Sequence, residues 1–413
     1  MLIKKIRVFM FLVASLLVIM SSNSTAEQII YAPHDGVAWF LNEENGKLGL
    51  KDMAGNVIIH PSFDGASPFI NNLAVIENNQ LYGAIDKTGK VVLPICFQQI
   101  DIIDSNIIAG NGGFFQLYSQ NGVLLSNEEF EYYDKINGYY IITTGGVSGV
   151  IDSMGKTILN QEWLRIGNIS QNGWIDIADD DAMFNYLNVN GTLMFPEMLE
   201  YVTAFSGGYG GILQYQNDNV CFVNEEGAIV RETDFYEVDD TDIPGLFKVC
   251  GDGVQGVYNP QNDCFINIPA DQFFATSEET YIVEINKKWG VMDKHCSLFI
   301  PNIYMNIEDI HDGIFAVQKD TGLKILLDQQ GKQIGNLEFQ DVYFFSDGLL
   351  GCIDKEYNLL GFVDAGGNWV IAPEFHSESP AVFKNGVCDI HEKDRVYYID
   401  NQGRIISYSS NND

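Results

Sequence analysis

Short apolar runs recur along the whole chain, separated by polar punctuation rich in Asp, Asn and Gly, and the alternation has a fixed frame. Tyr82-Gly-Ala-Ile-Asp-Lys-Thr-Gly89-Lys-Val-Val returns as Ser148-Gly-Val-Ile-Asp-Ser-Met-Gly155-Lys-Thr-Ile and as Leu360-Gly-Phe-Val-Asp-Ala-Gly-Gly367-Asn-Trp-Val-Ile. Anchored on its last Gly, the frame falls at positions 55, 89, 122, 155, 191, 227, 262, 296, 331, 367 and 403, in steps of 33 to 36 residues. Asn262 and Cys296 replace the glycine. Three residues earlier stand Asp52, Asp86, Ser119, Asp152, Asn188, Asn224, Asn259, Asp293, Asp328, Asp364 and Asp400. Such side chains bond backbone N–H groups two residues on, and Gly supplies the positive φ of a tight turn, so each frame predicts a β-hairpin. Eight residues after the anchor comes a large apolar residue, as at Phe63, Phe97, Phe130, Trp163, Phe235, Tyr304, Phe339 and Phe375, with Pro61, Pro94, Pro301 and Pro373 marking the bend before it. One unit therefore predicts about three short strands, and no window carries a convincing amphipathic helix.

This frame resembles the bacterial WG-repeat family, whose units run aromatic-Gly-apolar-apolar-Asp, spacers, Gly, apolar pair, Pro and Phe. The resemblance covers residues 45–408, although only Trp289-Gly290 keeps the literal dipeptide. Leu48, Tyr82, Ser148, Gln255 or Leu360 precedes the Gly elsewhere, and Gln116, Asn185, Cys221, Ile325 and Tyr397 replace that Gly in five units. The resemblance implies a β-rich repeat array used for interaction, with no common catalytic residues to transfer. The expected fold is all-β: eleven tandem units of about 35 residues, each of short antiparallel strands. Eleven lean units exceed the usual four to eight blades of a propeller, which favours an open β-solenoid-like stack over a β-propeller.

The ends differ from the repeats. Lys4, Lys5 and Arg7 precede an apolar run from Val8 to Met20, and Ser24 and Ala26 follow at small-residue positions. That order reads as a signal peptide over residues 1–26, and a run of 13 residues is short of the about 20 that span a bilayer. The expected organisation is a leader at 1–26, an N-terminal capping strand at 27–46, WG-like repeats at 47–408 and a polar tail at 409–413. Cleavage near Ala26 would place the protein in the periplasm or outside the cell.

Charge narrows the partners. With 23 Lys+Arg against 56 Asp+Glu, the formal charge is −33. So acidic a chain repels nucleic-acid phosphates and anionic membrane surfaces, and neither is an expected partner. Hydrophobic residues at 46% still supply a core, so this is not a disordered acidic tail. The seven cysteines are odd in number and irregularly spaced. Most read as small buried hydrophobes, though Cys352 and Cys388 both lie 15 residues before their turn glycines, and stacking could place them together as buried thiols or as a disulfide.

Candidate chemistry is sparse. Gly251-Asp-Gly253-Val-Gln-Gly256 matches a dinucleotide fingerprint in form, but its last Gly is the frame Gly before a strand and no helix follows. Gly207–Gly211 reads as a flexible connection. The histidines are scattered without metal-ligand spacing, and neither Asp179-Asp180-Asp181 nor the acids Glu232, Asp234, Glu237, Asp239, Asp240 and Asp242 match a calcium loop. No catalytic, cofactor or metal residue is assigned, and no enzyme or cofactor is expected. The expected function is a non-enzymatic binding or scaffold module of the bacterial cell envelope with a protein partner. The alternative is a cell-wall or glycan-binding module, for which Tyr132, Tyr133, Tyr139 and Tyr140 form the row of rings to inspect.

Overall fold

The structure, a computed structural model, describes residues 28–410 apart from 214–218, 242, 277–279, 294 and 311–312. The leader expected at 1–26 lies outside the described residues. All regular structure is β, and among the described residues there is no helix. The strands run as antiparallel meanders in which each strand pairs with the next in sequence. Most meanders have four strands rather than three. The reason is the bend after the fourth strand: Val91–Phe97 ends one meander, and Gln99–Ile103 opens the next within the same repeat.

The frame explains each meander. In every turn the Asx carboxyl, amide or hydroxyl bonds the backbone. Asp86 Oδ1 accepts from the N–H groups of Thr88 and Lys90 at 2.9 and 3.1 Å, and Asp152 accepts from those of Met154 and Lys156, both at 2.9 Å. Gly89 and Gly155 sit at φ of 83° and 81°; Cys296 takes the same conformation without being glycine, and at Asn262 the strain passes to Asp263. The fourth strand is bulged. Tyr82 pairs with Phe97 but Ala84 pairs with Leu93, so Pro94 occupies the looped-out stretch where its missing N–H costs no ladder bond. Gly83 lies under that bulge, where a Cβ would come within 2.8 Å of the Leu93 carbonyl oxygen. Trp289, Gly290, Pro301 and Tyr304 repeat the arrangement.

Burial follows position in the meander. Second and third strands are covered on both faces, so Val37–Asn42 and Leu360–Val363 read as continuous apolar runs. Fourth strands such as Val91–Phe97 and Leu298–Tyr304 alternate buried and open positions because only one face is covered.

The described chain divides into two compact units. The first takes residues up to 113, then 117–124 and 334 onward. Its meanders pack face to face through apolar layers: Leu73, Ala84 and Leu93 against Ile100 and Ile107, and Leu349, Phe362 and Ile371 against Cys388 and Ile399. The second takes residues 114–116 and 125–333 and layers its meanders in the same way, as with Phe222 and Val220 against Val238, Phe247 and Tyr258.

Three expectations change within the first unit. An open stack requires the first and last repeats to stand apart, whereas here they touch. The Ala32 N–H donates to the Ile405 carbonyl at 2.9 Å, and Tyr408 meets Tyr31 edge to face at 6.1 Å. The cause is apolar: the outer face of the first meander needs cover, and Tyr397 and Tyr408 supply it. Ser409 and Ser410, expected in a polar tail, are the last residues of strand Ile405–Ser410. The capping strand expected at 27–46 is part of an ordinary meander, with Gln28–Ile30 on Val37–Asn42 and the latter on Lys47–Asp52.

Candidate functional site

The anchor glycines join neighbouring meanders. A Cβ on Gly89 would lie 2.9 Å from Ile59, one on Gly122 would lie 2.2 Å from the Val92 carbonyl oxygen, and one on Gly403 would lie 2.9 Å from Ile371. Each of those neighbours belongs to the fourth strand of the preceding meander. In the second unit Gly331 rests likewise on Phe299. Several turns in each unit are therefore seated against the meander before them. Three of the turn carboxylates are held below the usual range: side-chain and backbone bonds from Asn56 lower Asp52, and backbone N–H bonds from Ser297 and Asn368 lead in lowering Asp293 and Asp364.

First strands of successive meanders frame a second feature. Tyr201 (strand Tyr201–Val202), Asp239 and Asp240 (Glu237–Asp240), and Phe273 and Phe274 (Gln272–Ala275) line one cleft of about 440 Å³ in the second unit, with Lys248 beside them. The Tyr201 hydroxyl donates to Asp239 Oδ1 at 3.3 Å, and the Ala204 N–H donates to Asp240 Oδ2 at 3.1 Å. Lys248 is the cross-strand neighbour of Asp239, yet its ammonium lies 5.1 Å over the Phe273 ring. Phe274 is 57% exposed and stacks on Trp289 at 5.8 Å. Desolvation in the cleft, reinforced by Asp176, pushes Asp240 up to about 6 against the pull of the Ala204 N–H. Desolvation and Asp239 push Tyr201 up to about 12.

Asp176 lies in the adjoining meander and is 5% exposed. It stands 15 residues before Gly191, and the corresponding residues of the other ten repeats are Phe40, Ala74, Ile107, Tyr140, Ile212, Phe247, Tyr281, Ala316, Cys352 and Cys388. All ten are buried and none is charged. Gly167 makes room for the carboxylate, since a Cβ there would overlap Asp176 Oδ2. The Asn168 N–H bonds it at 2.8 Å, and Arg165 lies 3.7 Å away. Burial raises its pKa despite both.

In the first unit a cavity of about 350 Å³ lies beside Glu77, Tyr398 and His391. Its polar groups are bonded among themselves: Glu77 accepts from the Ser410 N–H and hydroxyl, Tyr398 meets Ser409, and His391 meets Asp389.

The candidates from sequence fare unevenly. Tyr132 is exposed, but Tyr133 packs on Phe115 and Phe130 and Tyr140 is buried in the core column, so the four tyrosines form no platform. Gly251–Gly256 spans a hairpin, with Gly251 paired to Val254. Gly207 and Gly208 are a tight turn, and Gly210 and Gly211 lie in a strand against Tyr186 and Val238 rather than in a flexible connection. Asp179 closes another turn, accepting from the Asp181 and Met183 N–H groups. Among the described residues no three His, Cys, Asp or Glu side chains gather as a metal site. Cys352 and Cys388 are buried free thiols, both raised by burial. The sequence pattern singles out neither Phe274 nor Tyr201; the nearest signal is the acidic run that includes Asp239 and Asp240.

The family profile described as WG containing repeat matches residues 49–82 and 82–109. These residues carry WG repeats. The matches take in the strands that hold Gly49 and Gly83 and the bulged fourth strands after them. No curated protein matches this chain. Among solved structures, it is similar to BamB from Moraxella catarrhalis at 10% identity and a TM-score of 0.33, covering 75% of this chain and 96% of that one. It is similar to Hsv2p from Kluyveromyces lactis at 8% identity and a TM-score of 0.29, covering 63% and 92%. PorZ from Porphyromonas gingivalis follows at 11% identity and a TM-score of 0.24, covering 96% and 59%. Likeness at this level carries no functional argument.

Proposed function

We propose that this chain is a non-enzymatic binding or scaffold module of the bacterial cell envelope that presents a rigid acidic surface to a protein partner. The observation that carries the reading is the set of Asx turns, several of them seated on the meander before, with the carboxylates of Asp52, Asp86, Asp293 and Asp364 held below the usual range. Preorganised turn carboxylates favour a basic surface over a neutral one and speed its encounter. Export rests on the basic start, the apolar run to Met20 and the small residues up to Ala26, which support cleavage there and release to the periplasm or beyond. Within the first unit the first and last repeats are held together by the Ala32–Ile405 and Glu77–Ser410 bonds, which gives the presented surface a fixed frame there. The glycan reading keeps one supporting observation, the exposed ring of Phe274.

The test has two parts. N-terminal sequencing of the chain recovered from envelope fractions should begin at Glu27. A partner cross-linked there, identified and purified, should bind the mature chain with an affinity that falls steeply as salt is raised. Retention on a glycan column that survives salt would favour the alternative, and turnover of a hydrolase substrate would overturn both.

A further inference from the structure

We propose that the cleft lined by Tyr201, Asp239, Asp240 and Phe274 seats an exposed arginine side chain of the protein partner. This inference rests on the protein-binding reading above and gives the partner a chemistry.

Two carboxylates face the cleft, and among the described residues neither forms an ion pair. The cation best placed to neutralise them, Lys248, turns to the Phe273 ring instead. The acids are thus left with oxygens bonded only by the Tyr201 hydroxyl and Ala204 N–H and by the nearby Thr203. Both carboxylates are solvent-exposed and, among the described residues, carry no paired cation, so a guanidinium entering the cleft gains charge-assisted bonds to them without displacing another cation. The second wall favours arginine over lysine. Phe274 leaves more than half its surface open, and its stacking on Trp289 fixes the plane of the ring. A guanidinium is planar, weakly hydrated and stacks on such a ring while its N–H groups fork toward carboxylates; an ammonium cannot do both in one geometry. Phe273 already carries the ammonium of Lys248, which shows that rings at this position accept a cation. The net charge of −33 supplies long-range attraction for a basic partner, and the cleft supplies the local register.

The test uses the mature full chain and a fluorescent tetra-arginine peptide, with tetra-citrulline as the neutral isostere and chitotetraose as a glycan probe. Tetra-arginine should bind and tetra-citrulline should not. The double variant Asp239→Asn/Asp240→Asn should weaken tetra-arginine by about tenfold, as loss of charge-assisted bonds requires. Phe274→Ala, which changes no charge, should weaken it by roughly threefold to tenfold through the lost stacking. Glu43→Gln/Glu44→Gln, on exposed turn acids of the first unit, removes the same charge and should leave binding within about twofold, since distant exposed charges are screened. Equal loss in both double variants would mean diffuse attraction and overturn the cleft. So would an unchanged Phe274→Ala, or chitotetraose binding that Phe274→Ala abolishes. If the identified native partner still binds the cleft variants with full affinity, the cleft assignment fails while the binding-module reading stands.

Discussion

The contact between the chain's two ends makes a quantitative prediction at Glu77. This side chain is 2% exposed, and it fits because Gly65 opposite has no Cβ; one there would lie 2.6 Å from Glu77 Oε2. Its carboxylate accepts from the Ser410 N–H at 2.9 Å and from the Ser410 hydroxyl. Glu77→Ala removes both acceptors and leaves the end of strand Ile405–Ser410 without its anchor. Hydrogen bonds to a charged group contribute about 1.5–3 kcal/mol each. Ser410 is only half-buried, so water recovers part of that loss, and about 2 kcal/mol in total is the reasonable figure. The effect is local, and its readout is native-state hydrogen exchange of the amides at 405–410 and at Ala32. A loss of about 2 kcal/mol accelerates exchange there roughly thirtyfold, while amides of the second unit stay unchanged. Glu77→Gln keeps one acceptor and one donor to the Ser410 hydroxyl, so it should fall between wild type and alanine. Unchanged exchange at 405–410 in Glu77→Ala would refute the anchor. Uniform acceleration across both units would show a global packing role instead.

Four further outcomes follow from particular groups. Asp86→Ala strips two backbone N–H groups of their acceptor and should cost about 1 kcal/mol in urea denaturation, with Asp86→Asn recovering most of it. Asp240 has a folded pKa raised to about 6, so its ionised form is disfavoured in the native state; stability is reduced above pH 6 and the penalty fades on acidification toward its ordinary value. Asp240→Asn should therefore raise the urea midpoint at pH 7.5 and lose that advantage near pH 4, in a setting that also includes Asp176, Asp239, Tyr201, Lys248 and Arg165. The turn carboxylates Asp52, Asp293 and Asp364 have depressed values, and their contribution is lost as pH falls below the usual carboxylate range; acid titration of the Asn variants should show the loss moderated. Native protein should release Ellman signal from exposed Cys96 and Cys264 but from Cys352 and Cys388 only in urea; a missing signal there in urea would mean a disulfide.

Periodicity made the turns legible because their chemistry is local. An Asx side chain bonds an N–H two residues away whatever surrounds it, so Asp86 and Asp152 behave as their spacing requires. The bulge under Gly83 was legible in part, since Pro94 and Phe97 mark it, although the fourth strand it creates was not separated from the next meander. Long-range pairing was not legible. Nothing near Ser410 or Glu77 in sequence announces that each serves the other, because they lie 333 residues apart and meet only in the folded chain.

Repetition itself carries information that a single frame does not. In an array, each column is a set of equivalent environments, so an exception in a column marks a place where burial has been traded for something else. The column that holds Phe40, Tyr140, Phe247 and Cys388 is apolar in ten repeats and carboxylate in one, at Asp176. That acid is accommodated by Gly167, bonded by Asn168 and approached by Arg165, yet burial still raises its pKa. It also raises the pKa of Asp240, on the cleft proposed to take an arginine. If Asp176 served packing alone, Asp176→Leu would resemble its ten counterparts and stabilise the fold, as replacement of buried charges by apolar groups often does. If it also adds field to the cleft, the same variant should lower the Asp240 pKa toward its ordinary value and weaken tetra-arginine while stabilising the chain. A stabilised variant with unchanged peptide affinity would confine Asp176 to a structural accident of the fifth repeat.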